Sequence, residues 1–107
     1  MAKLPKKIKV MFRDYDICES TPVDQISHGA HYGMFMNAEG KILVGNVSPA
    51  ENANTVLHEA LHAIWRHMSM DKDIEEHYVT LIANGLATLI RDNPKLFPAI
   101  QEMLNGN

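Results

Sequence analysis

The sequence lacks most of the features that mark secreted, membrane-spanning or nucleic-acid-binding proteins. Cys18 is its only cysteine, so no disulfide can form within the chain, and we expect a reducing compartment. No apolar run approaches the ~20 residues that a membrane-spanning helix needs. The formal net charge of −3 gives no basic excess for nucleic acid. These absences predict a cytoplasmic protein with neither a membrane nor a nucleic-acid partner.

The length and composition are those of one small globular domain. The 107 residues include 46% apolar residues, which is enough for a modest core. No internal repeat is visible. We therefore predict a single domain over residues 1–107, with the lysine-rich residues 1–7 as a flexible tail.

The most informative feature is an HExxH motif at residues 58–62. His58 and His62 are four apart, so on a helix they share one face and can bind the same metal ion. Glu59 points to the neighbouring strip, where it can take a proton from a water on that metal. Zinc suits imidazole ligands, and a catalytic zinc site has three protein ligands and an open position for water.

The motif also has a plain alternative, since three fixed letters arise by chance and a polar helix face is often only solvated. The neighbouring residues argue against this, because many are apolar and predict a largely buried helix: Val56, Leu57, Leu61, Ile64, Trp65 and Met68. Buried histidines and a buried carboxylate need partners. We therefore predict one bound zinc ion per chain.

Three strands are predicted before the motif. Partial alternation of apolar and polar residues indicates a strand at 8–20, and shorter patterns indicate strands at 31–36 and 41–47. Residues 21–30 resemble a loop, and residues 37–40 have the composition of a hairpin turn.

The first helix has a well-marked start. Ser48 suits the N-cap, Pro49 the first helical position, and Glu51 the third position of a capping box. The apolar pattern then predicts a helix to about His67.

The remainder of the chain is also predicted to be helical. Asp73 is expected to cap a second helix that reaches about Arg91, and residues 93–94 end it. Pro98 predicts a turn followed by a short helical piece at 98–104. Strands followed by helices predict an α+β fold. Specifically, we expect a small antiparallel three-stranded sheet packed on the HExxH helix and the second long helix, a minimal zincin-like arrangement.

A catalytic zinc site needs a third protein ligand, and the second helix offers Glu75, Glu76 and His77. The longer metzincin motif does not fit, because Trp65 and Met68 occupy its glycine and histidine positions.

Helical geometry favours Glu76 among the three candidates. It shares a strip with Thr80, Ala83 and Ala87, whose small side chains let another helix approach closely. Glu75 falls on the apolar face and His77 on the polar face, so each remains an alternative.

The residues around the motif resemble a known family. Residues 55–64, followed by Glu75-Glu76 and residues 81–86, are similar to small phage and prophage zinc metallopeptidases, minimal gluzincins related to the ImmA/IrrE-like family. The resemblance implies zinc-dependent peptide hydrolysis in a bacterial host cell, with Glu76 as third ligand. It also places Thr80 where the family has an Asn or Asp that supports the metal site, which is a departure from its pattern.

The segment before the second strand holds further candidates. His28, His31 or Tyr32 would serve the reaction if one of them leaned over the zinc and stabilised the oxyanion. The alternative is that all three are ordinary loop residues.

Together these features predict a zinc metalloendopeptidase of gluzincin type. A zinc-activated water would attack a peptide or protein substrate, with Glu59 as general base. One rival is a non-catalytic zinc-containing phage accessory module, which would have no use for Glu59. A second rival is a SprT-like protease with His77 as ligand.

Overall fold

The computed structural model describes residues 3–19, 33–45, 48–68 and 72–106. The strands come first and the helices follow, which confirms the predicted α+β class. The elements are β1 (Lys7–Val10), β2 (Arg13–Glu19), β3 (Gly33–Met36), β4 (Lys41–Val44), α1 (Pro49–His67), α2 (Lys72–Asp92) and α3 (Leu96–Leu104). β1 thus takes in Lys7, the last residue of the predicted tail.

Within the described residues the sheet has four strands and is mixed, so the prediction of three antiparallel strands is wrong. The strand order is β1-β2-β4-β3, in which β2 and β4 are parallel and the other two pairs are antiparallel. The parallel pair joins strands that are not consecutive in the chain. Local alternation of residue types predicts that a strand exists but carries no information about such a partner.

The single strand predicted at 8–20 is a hairpin of β1 and β2. The chain reverses at residues 11–12, where Met11 has a φ of 58°. Methionine rarely takes this left-handed conformation, and residues 11–12 include no glycine or asparagine. The sequence therefore gives no signal for a turn here. By contrast, the turn predicted at 37–40 is confirmed, and Gly40 supplies its positive φ of 64°.

The first helix begins and ends as predicted. The Oγ of Ser48 accepts a hydrogen bond from the backbone N–H of Glu51 at 3.2 Å, and Pro49 opens the helix. This bond satisfies one of the amides that have no partner within the first helical turn.

The later helices differ slightly from the prediction. Asp73 lies inside the first turn of α2 instead of capping it, because the helix already includes Lys72. A turn at residues 94–95 precedes α3, as predicted, but the helix begins at Leu96, two residues earlier than expected. Pro98 falls in the first turn, where its missing N–H breaks no helical hydrogen bond. No helix in the described ranges is both long and apolar enough to cross a membrane.

The core lies between the sheet and α1. Its buried members come from β1, β2, β4 and α1, and they are Val10, Tyr15, Ile42, Val44 and Ala63. α1 is less buried than predicted, since Ile64 is 39% exposed and Met68, its C-cap residue, is 53% exposed. The short strands cover one side of α1 and α2 covers another, which leaves the rest of the helix at the surface.

Gly33 allows β3 to lie directly against α1. A Cβ at this position would lie 2.2 Å from Cγ2 of Thr55 and 3.0 Å from the carbonyl oxygen of Leu43. Both distances are shorter than ordinary van der Waals contact. The absence of a side chain therefore sets how closely the edge of the sheet approaches the HExxH helix.

We predict that Gly33→Ala lowers the free energy of unfolding by about 1–3 kcal/mol, the usual cost of overpacking a tight contact. Thr55→Ser removes Cγ2, so the double variant should recover part of that loss. Gly85→Ala is the control, because nothing lies within 4 Å of its added Cβ. It should raise the free energy of unfolding by up to about 1 kcal/mol, because alanine favours the helical conformation of α2 more than glycine does. Urea unfolding of the four variants measures this, and equal stability of Gly33→Ala and wild type would contradict the close approach.

Candidate metal centre

The two motif histidines meet on one face of α1. Their Nε2 atoms are 3.2 Å apart and their ring centroids are 4.9 Å apart, as the four-residue spacing requires. The side chain of His58 is 25% exposed and that of His62 is 12% exposed. The two side chains are therefore partly buried and can still be reached from solvent.

Glu76 brings a carboxylate from α2 to both histidines. Its Oε1 lies 2.9 Å from Nε2 of His58, and its Oε2 lies 2.8 Å from Nε2 of His62. Donor atoms that surround a tetrahedral zinc ion at about 2.0–2.1 Å are separated by roughly 3.3 Å. The three side chains are therefore arranged closely enough to share one ion.

Glu75 holds the other side of the His62 ring. Its carboxylate is buried, accepts a hydrogen bond from Nδ1 of His62, and lies 3.3 Å from Nε of Arg66. When Nδ1 carries the proton, Nε2 of His62 presents its lone pair to the cluster. Carboxylates that orient metal-binding histidines act in this way.

The cluster concentrates lone pairs that need a positive partner. Nε2 of His62 faces Nε2 of His58 and a carboxylate oxygen of Glu76, all within 3.2 Å. Acceptor atoms at such distances repel each other unless a proton or a cation lies among them. Two imidazoles and a carboxylate form a donor set that suits zinc.

Glu59 lies beside this cluster and is only 5% exposed. Its carboxylate falls within 4.8 Å of the ligand atoms of His58 and His62. Burial raises the pKa of Glu59 to about 7, with His62 opposing the rise and the carboxylates of Glu76 and Glu75 adding to it. A carboxyl group with such a pKa can both accept and release a proton near neutral pH.

Burial acts on His58 in the opposite direction. It lowers the pKa of the His58 imidazole, while Glu76 raises this pKa and His62 lowers it further. The ring is therefore favoured in its neutral form, which is the form that binds a metal.

The structure brings together His58, Glu59, His62 and Glu76, the four residues predicted to carry the chemistry. Thr80 also reaches this group, but its Oγ1 donates to Oε1 of Glu76 at 3.2 Å and not to a histidine ring. Thr80 thus holds the carboxylate of Glu76. In the family that the motif resembles, the residue at this position is expected to support a metal-binding histidine instead.

His77, the remaining described candidate for the third ligand, lies apart from the two motif histidines. His77 is exposed, and its ring packs edge-on against Tyr78. The candidates predicted near the start of the second strand, His28, His31 and Tyr32, lie outside the described residues.

The packing face of α2 is shifted from the predicted strip. Its buried residues are Glu75, Val79 and Ala83, whereas the side chain of Glu76 is 70% exposed. Glu76 lies at the border of this face and reaches the histidines through the length of its side chain. The sequence pattern therefore led to Glu76, although the face of α2 that is buried contains its neighbour Glu75.

A cleft of about 490 Å³ adjoins the histidines, and sequence reasoning missed most of its lining. Its walls come from β3, α1 and α2, and they are formed by Gly33, Glu51, Asn54, Thr55, His58, Glu59 and Asn84. Asn54 is four residues before His58 and so shares its face, which is a signal that the sequence does contain. Nothing local in the sequence marks Gly33 or Asn84.

Comparison with protein-family models, with curated protein sequences and with solved structures gives no match. The resemblance to the gluzincins therefore depends on the motif residues themselves.

The raised pKa of Glu59 predicts a pH-dependent difference in stability. A folded-state pKa of about 7, above the ordinary 4.5, means that the neutral carboxyl stabilises the fold below pH 4.5 and that this contribution is lost as the pH rises to about 7. In metal-free protein, the free energy of unfolding of Glu59→Gln should therefore rise by about 3 kcal/mol relative to that of wild type as the pH increases across this range.

Urea unfolding in the presence of a chelator, from about pH 4 to about pH 8, measures this difference. Glu102→Gln serves as the control, because it makes the same change at an exposed position of α3. If the curves for Glu59→Gln and wild type run parallel, Glu59 is not a buried carboxyl of raised pKa.

The contacts also rank the residues of α2 by their effect on zinc affinity. Glu75→Gln should weaken zinc binding by about 10–100-fold, as expected for a residue that orients a ligand, and Glu76→Ala should weaken it more. His77→Ala should leave the affinity unchanged. Competition with a chromogenic chelator measures all three, and a larger loss in His77→Ala than in Glu76→Ala would reverse the assignment.

Proposed function

We propose that this protein is a zinc-dependent metallopeptidase of the gluzincin type, which its motif residues resemble. The observation that carries the proposal is the position of Glu59, a buried carboxyl group next to the two histidines that contact Glu76, and beside an open cleft. Burying a carboxyl group is costly, so a fold retains one where it has a use.

Each residue of the cluster has a distinct part in the proposed reaction. His58, His62 and Glu76 would hold zinc, and Glu75 keeps Nε2 of His62 turned toward it. When bound, zinc supplies a Lewis acid that polarises a carbonyl group and makes water more acidic. Glu59 takes the proton from the attacking water and delivers it to the leaving amine, for which a pKa of about 7 is well suited.

The edge of the sheet offers a place for the substrate. β3 is the last strand in the order β1-β2-β4-β3, and its first residue, Gly33, lines the same cleft as His58 and Glu59. An extended peptide can add to such an edge through main-chain hydrogen bonds. A substrate bound in this way would carry its backbone past the histidines.

The rival proposals fit the site less well. A purely structural zinc site has no use for a buried carboxyl group that can exchange a proton near neutral pH, and Glu59 is such a group beside the two histidines and Glu76. That arrangement favours an enzyme over a non-catalytic phage accessory module. Contact of Glu76, and not His77, with both histidines favours the gluzincin type over the SprT-like type.

We predict that Glu59→Gln lowers the rate of peptide hydrolysis by about 10²–10⁴-fold, the usual contribution of a general base. Zinc affinity should change little, because the variant keeps His58, His62 and Glu76. A peptide library incubated with zinc-loaded protein and read by mass spectrometry measures cleavage. Glu102→Gln is the matched control and should cleave like wild type.

Two results would count against this proposal. Identical cleavage by wild type and Glu59→Gln would show that Glu59 is not the base. Absence of cleavage by zinc-loaded wild type across the library would favour the non-catalytic module.

A further inference from the structure

The cleft continues beyond the histidines toward the N-terminus of α1. Glu51, Asn54, Thr55 and His58 are spaced by three or four residues, so they form one strip along the helix, and all four line the cleft. The proposed catalytic residues occupy only one end of this groove. The other end has no part in the bond-breaking step and is free to select the substrate.

The far end of the cleft is negatively charged. Glu51 is exposed there, and the described lining contains Glu59 but no lysine or arginine. Glu51 lies in the first turn of α1, where the helix dipole contributes about half a positive charge. The full charge of the carboxylate exceeds this, so the end of the groove attracts cations.

The middle of the cleft carries two amide side chains. Nδ2 of Asn54 donates to Oδ1 of Asn84 at 3.1 Å, while the buried Oδ1 of Asn54 has no hydrogen-bond partner among the described residues. A buried polar atom without a partner is unfavourable, and a ligand that rearranges the pair can remove this cost.

The spacing along α1 determines which residue of an extended substrate lies opposite Glu51. Glu51 precedes His58 by seven residues, which corresponds to about 10 Å along the helix axis. An extended peptide advances about 3.3 Å per residue. A substrate side chain opposite Glu51 therefore lies about three residues from the bond at the histidines.

We propose that the cleft selects an extended peptide with a lysine or arginine about three residues from the cleaved bond, bound by Glu51, while Asn54 and Asn84 hold the intervening main chain. This inference rests on the proposed peptidase function and specifies its substrate class. The contacts are an ion pair at the exposed end and amide hydrogen bonds in the middle of the groove.

Peptide hydroxamates test the selection without requiring turnover, because the hydroxamate anchors the peptide on zinc. Two series carry the peptide on one or the other side of the hydroxamate, with Lys, Gln or Glu placed two, three or four residues away. The dissociation constants for zinc-loaded protein are measured by fluorescence anisotropy. In one series, Lys at the third position should bind about 3–10-fold more tightly than Glu, because an exposed ion pair is gained and a repulsion is removed.

Variants assign this preference to Glu51. Glu51→Gln should abolish it and Glu51→Lys should reverse it, whereas Glu102→Gln should retain it as the matched control. The variants keep the backbone N–H of residue 51 that Ser48 binds, so α1 retains its N-cap. Asn84→Ala should weaken all hydroxamates of that series alike, without changing the Lys-to-Glu ratio.

The outcomes separate this inference from the proposed function. No preference in either series, or a preference that persists in Glu51→Gln, would overturn the inference. A Glu51-dependent preference in a protein that cleaves no peptide would support the selection and contradict only the peptidase function.

Discussion

His62 is held between carboxylates from two successive residues of α2, and the site depends on this contact. Glu75 takes the Nδ1 side of the ring and Glu76 takes the Nε2 side. Consecutive residues of a helix point about 100° apart, so they can reach opposite sides of a ring only if the two helices lie close together. The buried Val79 and Ala83 on α2 provide that close packing. If the helices separated, the orientation of the ring and the third donor would be lost together.

The same packing places a large negative charge in a half-sheltered site. The carboxyl groups of Glu59, Glu75 and Glu76 surround two histidines, and Arg66 is bound to Glu75 at its border. Without a cation, part of this charge is removed by protonation, as the raised pKa of Glu59 indicates. A bound dication would offset the repulsion, so metal binding should stabilise the fold as well as supply the proposed chemistry.

The sequence was informative where the determinants are local. Local residue types and their spacing predict the N-cap at Ser48, the helix face shared by His58 and His62, and the helix end at His67. It was misleading where partners are distant. The parallel pairing of β2 with β4 and the left-handed turn at Met11 have no local signal.

The roles of the two adjacent glutamates show where such reasoning stops. Glu75 and Glu76 were both recognised as candidates, but only the packing shows which one faces both Nε2 atoms and which one supports the ring. The cleft is a tertiary feature as well, because Gly33 and Asn84 reach it from different elements. A residue pattern along one helix therefore predicts the candidate metal ligands better than it predicts the lining of the cleft.

The proposed function requires that His58, His62 and Glu76 share one zinc ion. Anomalous diffraction from zinc-grown crystals, collected above and below the zinc absorption edge, tests it most directly. We expect one strong zinc-specific peak per chain, at about 2.0–2.2 Å from both Nε2 atoms and from a Glu76 carboxylate oxygen. A zinc peak only at other residues, or no peak between the histidines in crystals that contain zinc, would contradict it.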